Sequence, residues 1–193
     1  MPPPVLRTRR FNLRPQGIEG VMLVERERLE DERGYFSRLF CADELRASGW
    51  PGPVAQINHS LTRKRGTVRG MHFQHPPHLE AKIVTCLRGA VWDVALDLRA
   101  GSPSFLRWCA VELSPESRCA LIVPAGCAHG FQALTDEVEL VYCTSTPYMA
   151  EADSGVNPLD PAIAITWPLA VSVLSDKDRL RPMIGPGFGG LGE

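Results

Sequence analysis

The run Val91-Trp92-Asp93-Val94-Ala95-Leu96-Asp97-Leu98 sets Trp92, Val94, Leu96 and Leu98 on one side of an extended chain and Val91, Asp93, Ala95 and Asp97 on the other. Strand side chains alternate between faces, so this period of two predicts a half-buried β-strand. Similar runs flank it at residues 21–25, 35–40, 54–61, 82–88, 105–113, 120–123, 130–134 and 138–144, each bounded by Gly, Pro, Asp or Ser. Short strands parted by turn residues predict an all-β sandwich or barrel. Helices are few: residues 43–48 form one, closed by Gly49, and a second follows Ser175, where Ser-x-x-Asp with Asp178 makes a capping box.

The 193 residues include 21 Lys+Arg against 22 Asp+Glu, a net charge of −1, so neither nucleic acid nor an anionic membrane surface is an expected partner. With 44% hydrophobic and 22% charged residues, the chain has the composition of a folded domain with a sizeable core. A single domain over 1–193 is expected. Pro2, Pro3, Pro4 and Pro15 gather at one end and Gly185, Gly187, Gly189, Gly190 and Gly192 at the other, which predicts loose tails over 1–16 and 185–193. The longest apolar stretches, 91–98 and 120–128, are broken by Asp93, Asp97, Pro124 and Gly126, well short of the roughly 18 residues of a membrane span. Arg7, Arg9 and Arg10 precede no apolar leader region, and six cysteines occur without a Cys-x-x-Cys pair. A cytoplasmic protein with reduced, mostly buried thiols is expected.

Reactive side chains concentrate in Arg69-Gly70-Met71-His72-Phe73-Gln74-His75-Pro76-Pro77-His78, followed by Lys82, and in Pro124-Ala125-Gly126-Cys127-Ala128-His129-Gly130-Phe131. Both stretches resemble the two motifs of the cupin superfamily. A metal-binding cupin supplies His-x-His, a glutamate a few residues later and the histidine of the second motif. Here the second member of that pair is Gln74. His72, Glu80 and His129 still make a three-ligand set with an open position, so a metal-dependent, dioxygenase-like cupin is an alternative reading of these two stretches.

A wider ordered pattern carries more information. Asp31-Glu32-Arg33-Gly34-Tyr35-Phe36, Asn58-His59-Ser60, the Arg69–Gln74 motif, Asp93-Val94-Ala95-Leu96-Asp97-Leu98-Arg99, Gly101-Ser102-Pro103, Cys127-Ala128-His129-Gly130-Phe131, Ile165-Thr166-Trp167-Pro168 and Leu174-Ser175-Asp176-Lys177-Asp178 occur in sequence. Together, over residues 31–184, they resemble the dTDP-4-dehydrorhamnose 3,5-epimerase family. The resemblance implies a cupin jelly roll with a few short helices, a homodimer, and epimerisation of a nucleotide-linked 4-keto-6-deoxyhexose in deoxysugar biosynthesis, with dTDP the default carrier. It implies no metal and no cofactor. It assigns His72 as the base, Asp178 as the carboxylate that orients it, Lys82 as the stabiliser of the enolate and Tyr142 as the acid. Arg33, Gln56, Asn58, Arg69 and Tyr148 match positions that hold the diphosphate, sugar and base, with Arg33 supplied by the partner subunit. His129 matches a position close to the pocket.

These residue types suit the chemistry. A hydrogen on carbon next to a ketone is too weakly acidic for neutral water, so its removal needs a base near neutrality and a positive group at the developing enolate oxygen. C3 and C5 both flank C4, so one such pair serves either carbon. Each residue also has a plainer use: His72 or Tyr142 as core side chains, Asp178 as a capping carboxylate, Lys82 as a solvated strand end, and the arginines as solvated cations. The resemblance also breaks in places. The carboxylate that reads the thymine is Arg38 here, Ile57 replaces an aspartate, Asn157-Pro158-Leu159-Asp160 replaces Arg-Trp-Asn-Asp, Pro147 replaces the first of two tyrosines, and Cys127 replaces a phenylalanine. A guanidinium only donates hydrogen bonds, so Arg38 is expected to alter the base preference.

Overall fold

In the computed structural model, which describes residues 5–192, the elements follow in the order β1 (Leu6–Arg7), β2 (Phe11–Pro15), β3 (Met22–Arg26), β4 (Arg28–Asp31), β5 (Gly34–Ser37), α1 (Ala42–Leu45), β6 (Gln56–Thr62), β7 (Thr67–Gln74), β8 (Lys82–Arg88), β9 (Val91–Asp97), β10 (Trp108–Leu113), β11 (Cys119–Val123), β12 (Cys127–Ala133), β13 (Val138–Thr144), β14 (Asp153–Gly155), β15 (Val173–Leu174) and α2 (Asp176–Arg179). A seven-stranded sheet of order β1-β2-β3-β11-β8-β13-β6 faces a sheet of order β10-β9-β12-β7-β14, with β15 added alongside β7. This is an all-β, two-sheet jelly roll. β4 and β5 pair only with each other, as a separate hairpin.

Three apolar layers explain the burial. Val84, Cys86 and Leu121 of the larger sheet meet Ala95, Leu113 and Phe131 of the smaller one between the sheets. Leu45 and Trp50 cover the outer face of the larger sheet, and Val156, Ile163 and Leu191 cover that of the smaller. The 91–98 run is therefore buried on both faces, not half-buried as its alternation predicts. Its polar positions go inward with partners of their own. Asp97, fully buried, accepts from Arg99 Nε at 2.9 Å and Nη2 at 2.8 Å and from the Ser102 and Ser104 hydroxyls, each at 2.6 Å.

Burial pushes the Asp97 carboxyl up, but these hydrogen bonds outweigh it and hold the group well below the usual carboxylate range. A folded-state value below the unfolded one of about 3.9 gives stability that is fully present above pH 4 and is lost as pH falls through the folded value. Asp97→Asn is expected to cost about 3–5 kcal/mol at pH 7, the range for breaking a buried charge pair. Urea unfolding at pH 7 and near pH 2 checks this, with the deficit nearly constant down to about pH 4 and shrinking below it.

The expected tails are not loose where the structure describes them. Phe11 and Leu13 are buried in β2, an interior strand of the larger sheet. At the other end, Phe188 stacks on Phe105, and Leu191 bridges to Arg99 with 7% of its surface exposed. Apolar side chains spaced among the prolines and glycines anchor both segments. Pro2, Pro3, Pro4 and Glu193 lie outside the described residues. The 43–48 helix splits into α1 and a 3-10 turn over Arg46–Ser48, closed by Gly49 at φ 84° as expected.

β7 matters most to function and lacks a clean period of two. Gly70 sits at φ 135°, where a Cβ would come within 2.6 Å of Gly130 Cα, and a Cβ on Gly130 would come within 2.6 Å of Met71 Sδ. Two glycines thus let β7 and β12 approach closely where the register slips between His129 and Phe131, leaving His72 directly opposite His129.

Candidate active site

A cleft of about 950 Å³ opens between the two sheets. Gln56 and Asn58 of β6, Lys82 of β8 and Tyr142 of β13 line one wall, and Arg69 and His72 of β7 and His129 of β12 line the other. Strand alternation aims them: Gln56 and Asn58 face the cleft while Ile57 between them is 70% exposed outside. Antiparallel register then sets Tyr142 beside Asn58, and Thr144 between Gln56 and Lys82.

His72 Nε2 lies 2.6 Å from Asp178 Oδ1. The histidine side chain is 37% exposed toward the cleft and the aspartate only 5%. The capping box divides its labour: the Ser175 hydroxyl accepts from Asp178 N at 3.1 Å, while the Asp178 carboxylate turns to His72 and to the N–H of Gly70 at 3.4 Å. Burial pushes the Asp178 carboxyl up, but the hydrogen bond and charge of His72, with Gly70 and Ser175, hold it below its ordinary value. A carboxylate behind an imidazole fixes its orientation and tautomer.

Lys82 is not a solvated strand end. It is 8% exposed, its Nζ lies 3.0 Å from Glu80 Oε1, and it donates to the backbone carbonyl of His72 at 3.4 Å. Tyr142 packs against the inter-sheet core and lines the cleft. Burial raises the Tyr142 phenol, Arg69 draws it down and Glu80 pushes it up, with a net upward shift that keeps it protonated at neutral pH.

The metal-ligand set suggested by the cupin motifs does not fit. Glu80 is engaged by Lys82 and by Gln74, and His129 Nε2 lies 2.8 Å from the fully buried Asp93. Among the described residues no three His, Cys, Asp or Glu side chains gather as a metal site. The partner of His129 was hidden in the sequence because Asp93 sits at a polar position of an alternating strand. Asp153 was also missed: it lines the cleft between Lys177 at 2.6 Å and Arg181 at 2.8 Å. Lys177 belongs to the Leu-Ser-Asp-Lys-Asp motif, which was the available signal.

Gln56, Asn58, Arg69 and Tyr148 all line the cleft, and the Tyr148 N–H donates to Gln56 Oε1 at 2.8 Å. Arg33 and Arg38 do not line it. Arg33 is on the free hairpin and forks onto Asp31, and Arg38 faces Glu44 at 3.5 Å. Nothing in this chain presents Arg38 to a base in the cleft.

Known proteins of the same fold and length fit this geometry. A family model described as dTDP-4-dehydrorhamnose 3,5-epimerase matches residues 15–185. The dTDP-4-dehydrorhamnose 3,5-epimerase of Streptomyces griseus is 47% identical over 174 residues, 89% of this chain and 86% of that protein. The dTDP-4-dehydrorhamnose 3-epimerase of Streptomyces niveus is 45% identical over 170 residues, 88% of this chain and 82% of that one. The crystal structure of a 4-keto-6-deoxy sugar epimerase from the novobiocin gene cluster of Streptomyces spheroides superposes with a TM-score of 0.85 at 42% identity, covering 93% of this chain and 90% of that one. The jelly roll is thus that of the cupin-type epimerases. Matched along nearly its whole length by the model and by these relatives, the chain belongs to the dTDP-4-dehydrorhamnose 3,5-epimerase family.

Proposed function

We propose that the chain epimerises a dTDP-linked 4-keto-6-deoxyhexose at a carbon flanking the C4 ketone, C3, C5 or both, in deoxysugar biosynthesis. The observation that carries this is the convergence of His72, Asp178, Lys82 and Tyr142 on one cleft, with His72 and Tyr142 on opposing sheets. His72, held by Asp178, takes the proton from carbon. The electrons move to the C4 oxygen, where Lys82 meets the developing negative charge. Tyr142 then gives its proton to the same carbon from the other face, and solvent resets both groups. Gln56, Asn58, Arg69 and Tyr148 hold the nucleotide and sugar, with guanidinium forks suited to the diphosphate.

The working unit is a homodimer. The β4–β5 hairpin is free of both sheets, and Tyr35 and Phe36 on it are 58% and 59% exposed. Lodged against a second copy, it carries Arg33 to the partner's cleft. Location in the cytoplasm is consistent with six free cysteines. No helix among the described residues is long and apolar enough to cross a membrane.

Incubating the protein with dTDP-4-keto-6-deoxyglucose in deuterated water, followed by NMR, tests the activity. Label at C3, C5 or both with inversion supports it, and no label at either carbon refutes it. In the same assay Asp178→Asn is expected to slow turnover about 10- to 100-fold, as loss of a carboxylate behind a metal-bound histidine does, in a protein that stays folded. A change confined to melting temperature would leave Asp178 a cap and nothing more.

A further inference from the structure

We propose that Glu80, clamped by Gln74, is a positioning residue that fixes the Lys82 ammonium in the cleft; the proposal rests on Lys82 being the counter-charge of the enolate. Gln74 is 2% exposed, and its amide is fully committed. Its Nε2 donates toward the carbonyls of His78 at 3.0 Å and Pro147 at 3.2 Å and toward Glu80 Oε2 at 3.3 Å. Its Oε1 accepts from Met149 N at 2.6 Å. An amide has two N–H donors, so three acceptors around Nε2 leave neither of them free. One oxygen of Glu80 lies 3.3 Å from this shared amide nitrogen, and the other lies 3.0 Å from Lys82 Nζ. Both charged side chains are only about a tenth exposed, at 10% and 11%.

The order of contacts runs from Gln74 through Glu80 to Lys82, whose Nζ reaches the carbonyl of His72 at 3.4 Å. An ammonium on a four-carbon stem is otherwise mobile. A positive group assists a developing oxyanion most when it is already in place and needs no reorganisation. Glu80 supplies that fixity, and its second oxygen faces Gln74 Nε2. Gln74 and Glu80 occupy the positions where the metal-cupin pattern carries ligands, and here they seat a side-chain cation.

The test measures kcat and KM for deuterium exchange in wild type, Glu80→Gln, Lys82→Met and the double variant, with Gln74→Met as a second way to cut the clamp. A parallel arm needs no substrate: acetylation of Lys82 by acetic anhydride, followed by mass spectrometry. Glu80→Gln is expected to lower kcat about 10- to 100-fold, less than or equal to the loss of a direct oxyanion donor, with KM and dTDP affinity little changed. In the Lys82→Met background the same change is expected to have no further effect, because Glu80 has nothing left to act through. Lys82 is expected to acetylate several-fold faster in Glu80→Gln and in Gln74→Met. Unchanged or raised kcat in Glu80→Gln, an equal fall in the Lys82→Met background, a loss confined to melting temperature, or unchanged acetylation would each overturn the proposal. Wild type that exchanges no deuterium would instead refute the epimerase reading, while the acetylation arm decides the clamp by itself.

Discussion

His72→Asn is expected to abolish deuterium incorporation at every ring position while leaving dTDP affinity nearly unchanged. Asparagine stops short of the imidazole Nε2 that meets Asp178 Oδ1, but the carboxylate keeps the N–H of Gly70 as a partner. Asparagine has no basic nitrogen, and without a base the carbon–hydrogen bond does not break at a useful rate. Loss of a general base costs about 100- to 10,000-fold in rate. The residues proposed to hold the nucleotide, Gln56, Asn58, Arg69 and Tyr148, line the same cleft but are not bonded to His72. NMR exchange and titration calorimetry on one preparation separate the two effects. Exchange near the wild-type rate would remove His72 from the chemistry, and a parallel collapse of dTDP binding would mean that the substitution disturbed the cleft itself.

Residues 82–88 and 138–144 are strands with the bounds their alternation predicts, and both are interior strands of the larger sheet. β7 was not legible in the same way. Its Gly70 and Gly130 contacts, its register slip and its inward-facing Arg69 and His72 all break the apolar period, and each of them serves the cleft. A strand that builds a site loses the pattern by which strands are recognised.

Partnerships across the fold were the other hidden layer. Asp178 and His72 are 106 positions apart and Asp93 and His129 are 36 apart, so no local spacing announces either pair. The family resemblance pointed to the first of these and was silent on the second. It also marked Arg38 as the cation standing where a base-reading carboxylate is expected, and within this chain that side chain lies 3.5 Å from Glu44.

Tyr142→Phe is expected to separate proton exchange from inversion. Phenylalanine keeps the ring that packs against the inter-sheet core, so the fold is preserved and only the hydroxyl is lost. His72, on the opposing sheet and 37% exposed, can still take the substrate proton, trade it with solvent and return it to the face it came from. Delivery to the other face has no donor. Inversion is expected to fall about 100-fold or more, the usual scale for a general acid, while deuterium wash-in continues with retention of configuration. The upward shift of the Tyr142 phenol keeps it protonated at neutral pH, so the group has a proton to give. Following label and stereochemistry together by NMR decides the matter. If wash-in and inversion fall by one common factor, proton removal itself depends on Tyr142, and if neither falls, its hydroxyl takes no part and the tyrosine is a core residue with a polar tip.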